Sequence, residues 1–314
     1  MTSVTVRPIT SEETHRFVSI GVDSSYADDV QHYLEQMFSI GSMRPEWCFY
    51  AEQAAQLRGR VAFWTLPTLD KPLDMVLLEL PWESPEYLSF GTAMLQLVLD
   101  QMRSRGVTSI GYVLDDPPLA PQWQKHPAKR KALLQAMGFK QERVTHRFEW
   151  KMRGAPLRES DELVFRSFPE VGTPVFLDAI RLVSRGTLDS RIRSDCQARG
   201  DWEQAKSLLE DLQQMKYDPS WWQLAYTRQG DLVGLVMPTE SPTFATIGYI
   251  GVVPRYRGRG YIHLLLNRGT NILLSNGVTL IRTDTDVNNI PMANAFKKAG
   301  YMPFATREEY RLEI

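Results

Sequence analysis

The stretch Val252-Val253-Pro254-Arg255-Tyr256-Arg257-Gly258-Arg259-Gly260-Tyr261-Ile262 constrains this chain more than any other. An apolar β-type run at 246–253 leads into it and an apolar helical run at 262–274 leads out, so the element reads as strand, glycine-rich turn, helix start. Glycines at 258 and 260 allow successive amides to turn inward with no side chain in the way. The helix start adds about half a positive charge. Such a bend binds a phosphate or diphosphate, and Arg255, Arg257 and Arg259 strengthen it. No Gly-Lys-Ser/Thr closes the loop and the three-glycine dinucleotide fingerprint is not met, which sets aside the two best-known phosphate loops.

A second constellation follows a strand at 279–283: Asn289-Ile290-Pro291-Met292-Ala293-Asn294-Ala295-Phe296-Lys297-Lys298-Ala299-Gly300-Tyr301. It reads as an Asn, a short amphipathic helix, and a Gly-aromatic pair opening the next strand. In this order and spacing the two motifs resemble the GCN5-related N-acetyltransferase (GNAT) family, in which a strand ending in Val-x-Pro runs into an Arg-Gly-x-Gly loop and an apolar helix. The resemblance covers about residues 160 to 314. It implies an α/β (α+β) fold with a mixed, mostly antiparallel central sheet flanked by helices, with acetyl-CoA as co-substrate and no metal.

Length and composition bound the rest. At 314 residues the chain has room for two domains. A net charge of −1 gives no general attraction to nucleic acid or to an anionic membrane, so basic function must be local. Cys48 and Cys196 lie far apart and predict free thiols in a reducing compartment. The first residues lack a signal-peptide core and no run reaches membrane-spanning length, so a cytoplasmic location is expected. Five scattered histidines form no metal-ligand pattern, and His263 reads as a surface residue at the helix start.

Taken in order, the pattern of the first half returns in the second. A strand at 4–9, a helix at 28–38, a hairpin over 47–64, a strand at 75–80, a helix at 90–102 and a strand at 107–113 come first. A proline-rich loop at 115–127, a helix at 129–137 and a strand at 139–150 complete that half. A linker is expected at 153–162, dividing a domain at 1–152 from one at 163–314. The second half opens with a strand at 163–168, helices at 174–184 and 201–216, and a hairpin over 221–238. Gly106-Val107-Thr108-Ser109-Ile110 overlays Gly277-Val278-Thr279-Leu280-Ile281. Gly138-Phe139 overlays Gly300-Tyr301, and Phe148 overlays Tyr310. An internal repeat of domain size accounts for this. Carried back, the overlay sets Glu86 opposite Arg257 and offers no glycine pair, so the first copy is expected to keep the fold and to have lost the cofactor loop.

The resemblance assigns the second half its chemistry: acetyl transfer to an amine of a small molecule or peptide by direct attack. Arg257, Gly258, Arg259, Gly260, Tyr261 and Ile262 carry over as the diphosphate cradle. Gly251, Val252 and Val253 carry over as the strand end that meets the pantetheine arm, with the Val252 N–H polarising the thioester carbonyl. Asn289 carries over on the pantetheine side. Ile262 stands where the family usually has a small residue; a register beginning at Arg255 would restore that spacing. Phe296 occupies the position of a Tyr that in many members protonates the departing thiolate. Expelling a thiolate of pKa near 8.5 unprotonated at pH 7 costs roughly 2 kcal/mol, and Tyr249, Tyr301 or water are the replacements. An alkylamine must also lose a proton, at about 4.6 kcal/mol. Candidate bases are Asp284, Asp286, Glu240 and Tyr249, with turn and helix-cap roles the competing reading for the two aspartates. Acid near the pocket points to a cationic acceptor. Trp221, Trp222 and Tyr226 read as acceptor walls or core, and Lys297 and Lys298 as a solvated face. A non-catalytic acyl-CoA sensor is the alternative from another class. Aminoacyl transfer from charged tRNA is a third reading, disfavoured by the near-neutral charge.

Overall fold

A computed structural model describes residues 3–21, 24–152, 157–158, 160–241 and 244–314. The expected linker at 153–162 lies outside the described residues at 153–156 and 159. The chain divides into two compact units, one of residues 1–143 with 307–314 and one of residues 144–306.

The first unit holds β1 (Val4–Pro8), α1 (Thr14–Ser19), α2 (Ala27–Ser39), β2 (Cys48–Gln53), β3 (Gln56–Trp64), β4 (Asp74–Glu79), α3 (Tyr87–Ser104), β5 (Ser109–Asp116) and α4 (Pro127–Ala136). Its strand order is β1-β2-β3-β4-β5 followed by the later part of β12 (Met302–Glu313). The second unit holds β7 (Val164–Ser167), α5 (Phe168–Val171), α6 (Thr173–Ser184), α7 (Ser190–Arg199), α8 (Asp201–Gln213), β8 (Gln223–Tyr226), β9 (Leu232–Glu240), β10 (Ala245–Val252), α9 (Tyr261–Ser275), β11 (Leu280–Asp286) and α10 (Ile290–Lys298). Its strand order is β7-β8-β9-β10-β11 followed by the later part of β6 (Lys140–Lys151).

Each unit therefore takes its last strand from the other half of the sequence. Phe148 packs on Phe296 at a ring distance of 5.1 Å in the second unit's core, whereas Tyr310 lies in the first unit's core. The repeat positions are those the overlay predicts, but a cut at 153–162 does not separate the units, because apolar strand ends bury themselves where a sheet edge and a core are open to them.

Among the described strand pairs of each unit other than β5 with β12, one is parallel and the rest antiparallel. In the first, β4 meets β5 at Asp74↔Gly111; in the second, β10 meets β11 at Ala245↔Ile281. Both contacts lie at the start of the earlier strand, so each strand pair separates toward its C-terminal end. Gly106 and Gly277 close the preceding helices at φ +77 and +82, a conformation that costs a side chain strain. Helix α3 has 18 residues against 15 in α9, so the overlay slips by three at their N-termini. Glu86 is the N-cap of α3 and stands opposite Gly260, not Arg257.

Candidate active site

The open end of the β10–β11 gap, the turn after β10 and the start of α9 form the site. Gly258 and Gly260 adopt φ +77 and +85, and a Cβ at either would meet nothing within 4 Å, so the bend faces open space. Gly260 caps α9 without a side-chain hydrogen bond, leaving the first-turn amides of Tyr261 and Ile262 with no intrahelical acceptor. Arg255 and Arg259 are exposed beside the bend, each about 5 Å from the Tyr256 ring centroid. Glycine geometry, bare amides and two exposed cations, Arg259 and an Arg255 paired with Asp231 at 3.2 Å, fit a diphosphate.

On β10 the Val253 N–H donates to Val233 O at 2.9 Å. Amides alternate along a strand, so the Val252 N–H points away from β9 into the gap where β11 no longer pairs. A kink in register between Ile247 and Tyr249 precedes this region. Tyr249 and Gly251 share a face directed at α6: the Tyr249 hydroxyl lies 2.8 Å from Ser184 Oγ, and a Cβ on Gly251 would run into Val183. Burial pushes the Tyr249 hydroxyl well above the usual phenol range, outweighing the bond to Ser184, so it holds its proton at neutral pH. It is therefore no base, and as a weak acid it can offer a departing thiolate a hydrogen bond.

Several predicted residues have other employment. Arg257 turns its guanidinium away from the bend: Nε donates to Val252 O at 3.0 Å, Nη1 to Gly186 O at 2.9 Å, and Nη2 to Val183 O at 2.8 Å and Arg185 O at 2.7 Å. Phe296 is 1% exposed, packed between Phe148 and Tyr301, and so belongs to the core. Tyr301 is wholly buried with its hydroxyl 2.7 Å from Thr270 Oγ1, which removes it as a thiolate donor. Asp286 is 2% exposed and accepts hydrogen bonds from the Ser190 amide and hydroxyl and from the Asn288 amide and side chain. Burial alone would raise its pKa, but these donors together hold it below the usual carboxylate value. An ionised carboxylate with four donors is a latch and a poor base.

Asp284 is exposed, opposite Arg147 in the β11–β6 register. Asn289 caps α10, its Oδ1 accepting from the Met292 amide at 3.4 Å. Glu240 pairs with Lys216 at 2.6 Å and lies opposite Ala245, at the closed end of the gap. Burial, with Lys298 nearby, lowers His263, keeping the imidazole neutral. Lys297 and Lys298 are exposed. Trp222 is core, stacked on Tyr217 at 4.0 Å; Trp221 is buried and Tyr226 half-buried. A cavity of about 570 Å³ lies elsewhere, lined by Phe165, Glu170, Asp218, Arg268 and Asn276; of the predicted residues it contains Trp221 alone.

Sequence reading missed α7, a helix with no buried residue and hence no apolar period to read. It also missed the inward turn of Arg257, which has no signature in a motif of three arginines. Among the described residues no group of three His, Cys, Asp or Glu is placed to hold a metal, and no helix is long and apolar enough to cross a membrane.

Residues 190–301 match the Acetyltransferase (GNAT) family. The chain is similar in structure to a GCN5-related N-acetyltransferase from Sphaerobacter thermophilus, with 14% identity, a TM-score of 0.61, and 99% of this chain and 95% of that one covered. It is also similar to the glucosamine N-acetyltransferase region of a fungal multi-domain GH3 β-N-acetylglucosaminidase, with 13% identity and a TM-score of 0.56, over 99% of this chain and 38% of that one. A tandem GNAT protein from the clavulanic acid biosynthesis pathway matches at 14% identity and TM-score 0.48, over 99% and 98%. At such identities the first two likenesses are likenesses of fold.

Proposed function

Since residues 190–301 match the acetyltransferase (GNAT) family, we propose that the second unit moves an acetyl group from acetyl-CoA to an amine of a small molecule or peptide. The observation that carries this reading is the uncapped start of α9 behind two left-handed glycines, next to a strand end whose Val252 N–H faces an unpaired gap. Amides at 258–262 hold the diphosphate, with Arg255 and Arg259 adding charge from outside. Acetyl-CoA supplies the activated acetyl group as a thioester. The Val252 N–H stabilises negative charge on the carbonyl oxygen during direct attack by the amine, and Tyr249, protonated on the α6 side of β10, donates a hydrogen bond to the departing sulfur. With Asp286 committed to its four donors, the amine arrives neutral or loses its proton to water, which favours an acceptor of low amine pKa.

The first unit keeps the fold without the cofactor in this reading and buttresses the protein. Calorimetric titration with acetyl-CoA tests the assignment: one site per chain is expected, and no heat of binding sinks it. Release of free thiol with a panel of amines then separates enzyme from sensor, because binding without release in any amine favours an acyl-CoA sensor.

A further inference from the structure

Three ionisable side chains of the first unit are shut away from water: Arg60 is 0% exposed, Arg130 1% and Glu79 5%. Arg60 on β3 stands opposite Tyr50 of β2 and Glu79 of β4, with the Phe17 ring of α1 5.2 Å from its Cζ. Every nitrogen of the Arg130 guanidinium has an acceptor. Nε donates to Lys125 O, Nη1 to Leu78 O and the Tyr112 hydroxyl, and Nη2 to Glu79 Oε1. Glu79 spends its other oxygen on Trp82 Nε1. Arg60 is left with one bond, from Nη1 to Phe17 O at 3.2 Å, while its Nε and Nη2 are buried with no partner.

Those two nitrogens share one side of the guanidinium plane, where their N–H bonds run parallel. That edge takes a carboxylate on two oxygens or a halide on both hydrogens. Charge points the same way. Glu79 is the carboxylate that acts on Arg60, and both its oxygens are taken. Burial pushes the Tyr50 hydroxyl up to about 12 and the Cys48 thiol well above its usual range, so neither is an anion at neutral pH. Arg60, lowered by burial to about 10, keeps its proton there. Two buried guanidiniums therefore face one carboxylate, and the surplus charge in a low-dielectric interior calls for a counterion. We propose that the first unit encloses a small monoanion, a halide or a carboxylate the size of formate, on the Nε–Nη2 edge of Arg60. A water on that edge would satisfy the N–H groups and leave the charge unbalanced. Arg60 does not line the cavity of about 270 Å³ beside Trp82, so the ligand is enclosed and ion-sized. The site stands whether or not the second unit binds acetyl-CoA.

Urea titrations of the full chain at constant ionic strength, with sodium chloride replacing sodium methanesulfonate, test this in wild type, Arg60→Met and Arg60→Lys. Raising chloride from about 1 to about 100 mM is expected to lower the wild-type unfolding constant at least about tenfold and that of Arg60→Met less than about twofold. Arg60→Lys should fall between, because an ammonium keeps the charge and loses the fork. Formate in place of chloride separates the sources: a shift of similar size assigns a carboxylate, and a shift with chloride alone a halide. Wild-type crystals grown with bromide are expected to show an anomalous peak within hydrogen-bonding reach of both Nε and Nη2, and that peak decides alone should Arg60→Met not fold. Water in place of bromide, or a chloride effect equal in wild type and Arg60→Met, overturns the proposal. A bromide peak with no chloride or formate effect on stability marks an adventitious ion only and overturns it too.

Discussion

The two units open the same gap and treat it in opposite ways. In the first, the gap between β4 and β5 is filled from within. Gln122 Oε1 accepts from the Leu77 amide at 3.2 Å, and Gln124 pairs with Val113 O at 2.7 Å and the Asp115 amide at 3.2 Å. The Arg130 guanidinium bonds Leu78 O at 2.7 Å on β4, the Tyr112 hydroxyl at 3.0 Å on β5 and Glu79 Oε1 at 2.6 Å. Trp82 Nε1 covers Glu79 Oε2 at 2.8 Å. In the second unit Val252 stands at the end of the corresponding strand and leaves its amide to the gap. A buried backbone donor or acceptor must find a partner; the first unit supplies one from its own chain, and the second leaves the place to a ligand. The turns differ accordingly. The first has Pro81, Pro85, Glu83 and the N-cap Glu86, at φ −88, where the second has Arg257, Gly258, Arg259 and the left-handed N-cap Gly260.

The sharpest way to break this contrast is to empty the first gap. Arg130 is 1% exposed, and Arg130→Met leaves Glu79 charged and buried without its partner, at a cost of about 3–5 kcal/mol in unfolding free energy measured by urea titration. A loss below 1 kcal/mol would mean the guanidinium is not the filling. Next in size, Gly260→Asp in the second unit forces a side chain into φ +85 and sets a carboxylate in the cradle. Acetyl-CoA affinity should fall about 100-fold, near 2.7 kcal/mol, by calorimetry. The matching change in the first unit, at Glu86, should leave it untouched.

A smaller effect is expected at Tyr249. Without its hydroxyl the departing thiolate loses a hydrogen bond, so Tyr249→Phe should lower turnover about 30-fold at pH 7 with the amine the panel identifies, the equivalent of roughly 2 kcal/mol. Unchanged turnover would leave the thiolate to water alone. Smallest is the Asp286 latch, whose folded pKa lies below the unfolded one. Its contribution is complete above the unfolded carboxylate value, near 3.9, and is lost as pH falls through the folded value. Asp286→Asn should therefore cost about 1–2 kcal/mol at pH 7, with the gap to wild type closing below about pH 4 in urea titrations. A constant gap down to pH 2 would mean that charge plays no part in the latch.

What the sequence determined by itself was local. Strand, bend and helix around 252–262 follow from apolar period, two glycines and a helix start, and each is fixed within a few residues of chain. The repeat was legible for the same reason: Gly106 and Gly277, or Gly138 and Gly300, stop their elements by a backbone conformation that needs no distant partner. Asn289 as a helix cap was likewise within reach of its own neighbours.

Tertiary structure alone decided where the charges went. Arg257 looks like its neighbours Arg255 and Arg259 in sequence, yet the carbonyls that capture it come from residues 183–186, about seventy positions away. Asp286 becomes a latch through Ser190, and Gln122, Gln124 and Arg130 become a filling through strands they do not belong to. The exchange of the last strands between the halves is of the same kind. A hydrogen bond or a buried face is a property of two segments, and the chain does not state in either one which partner it will meet.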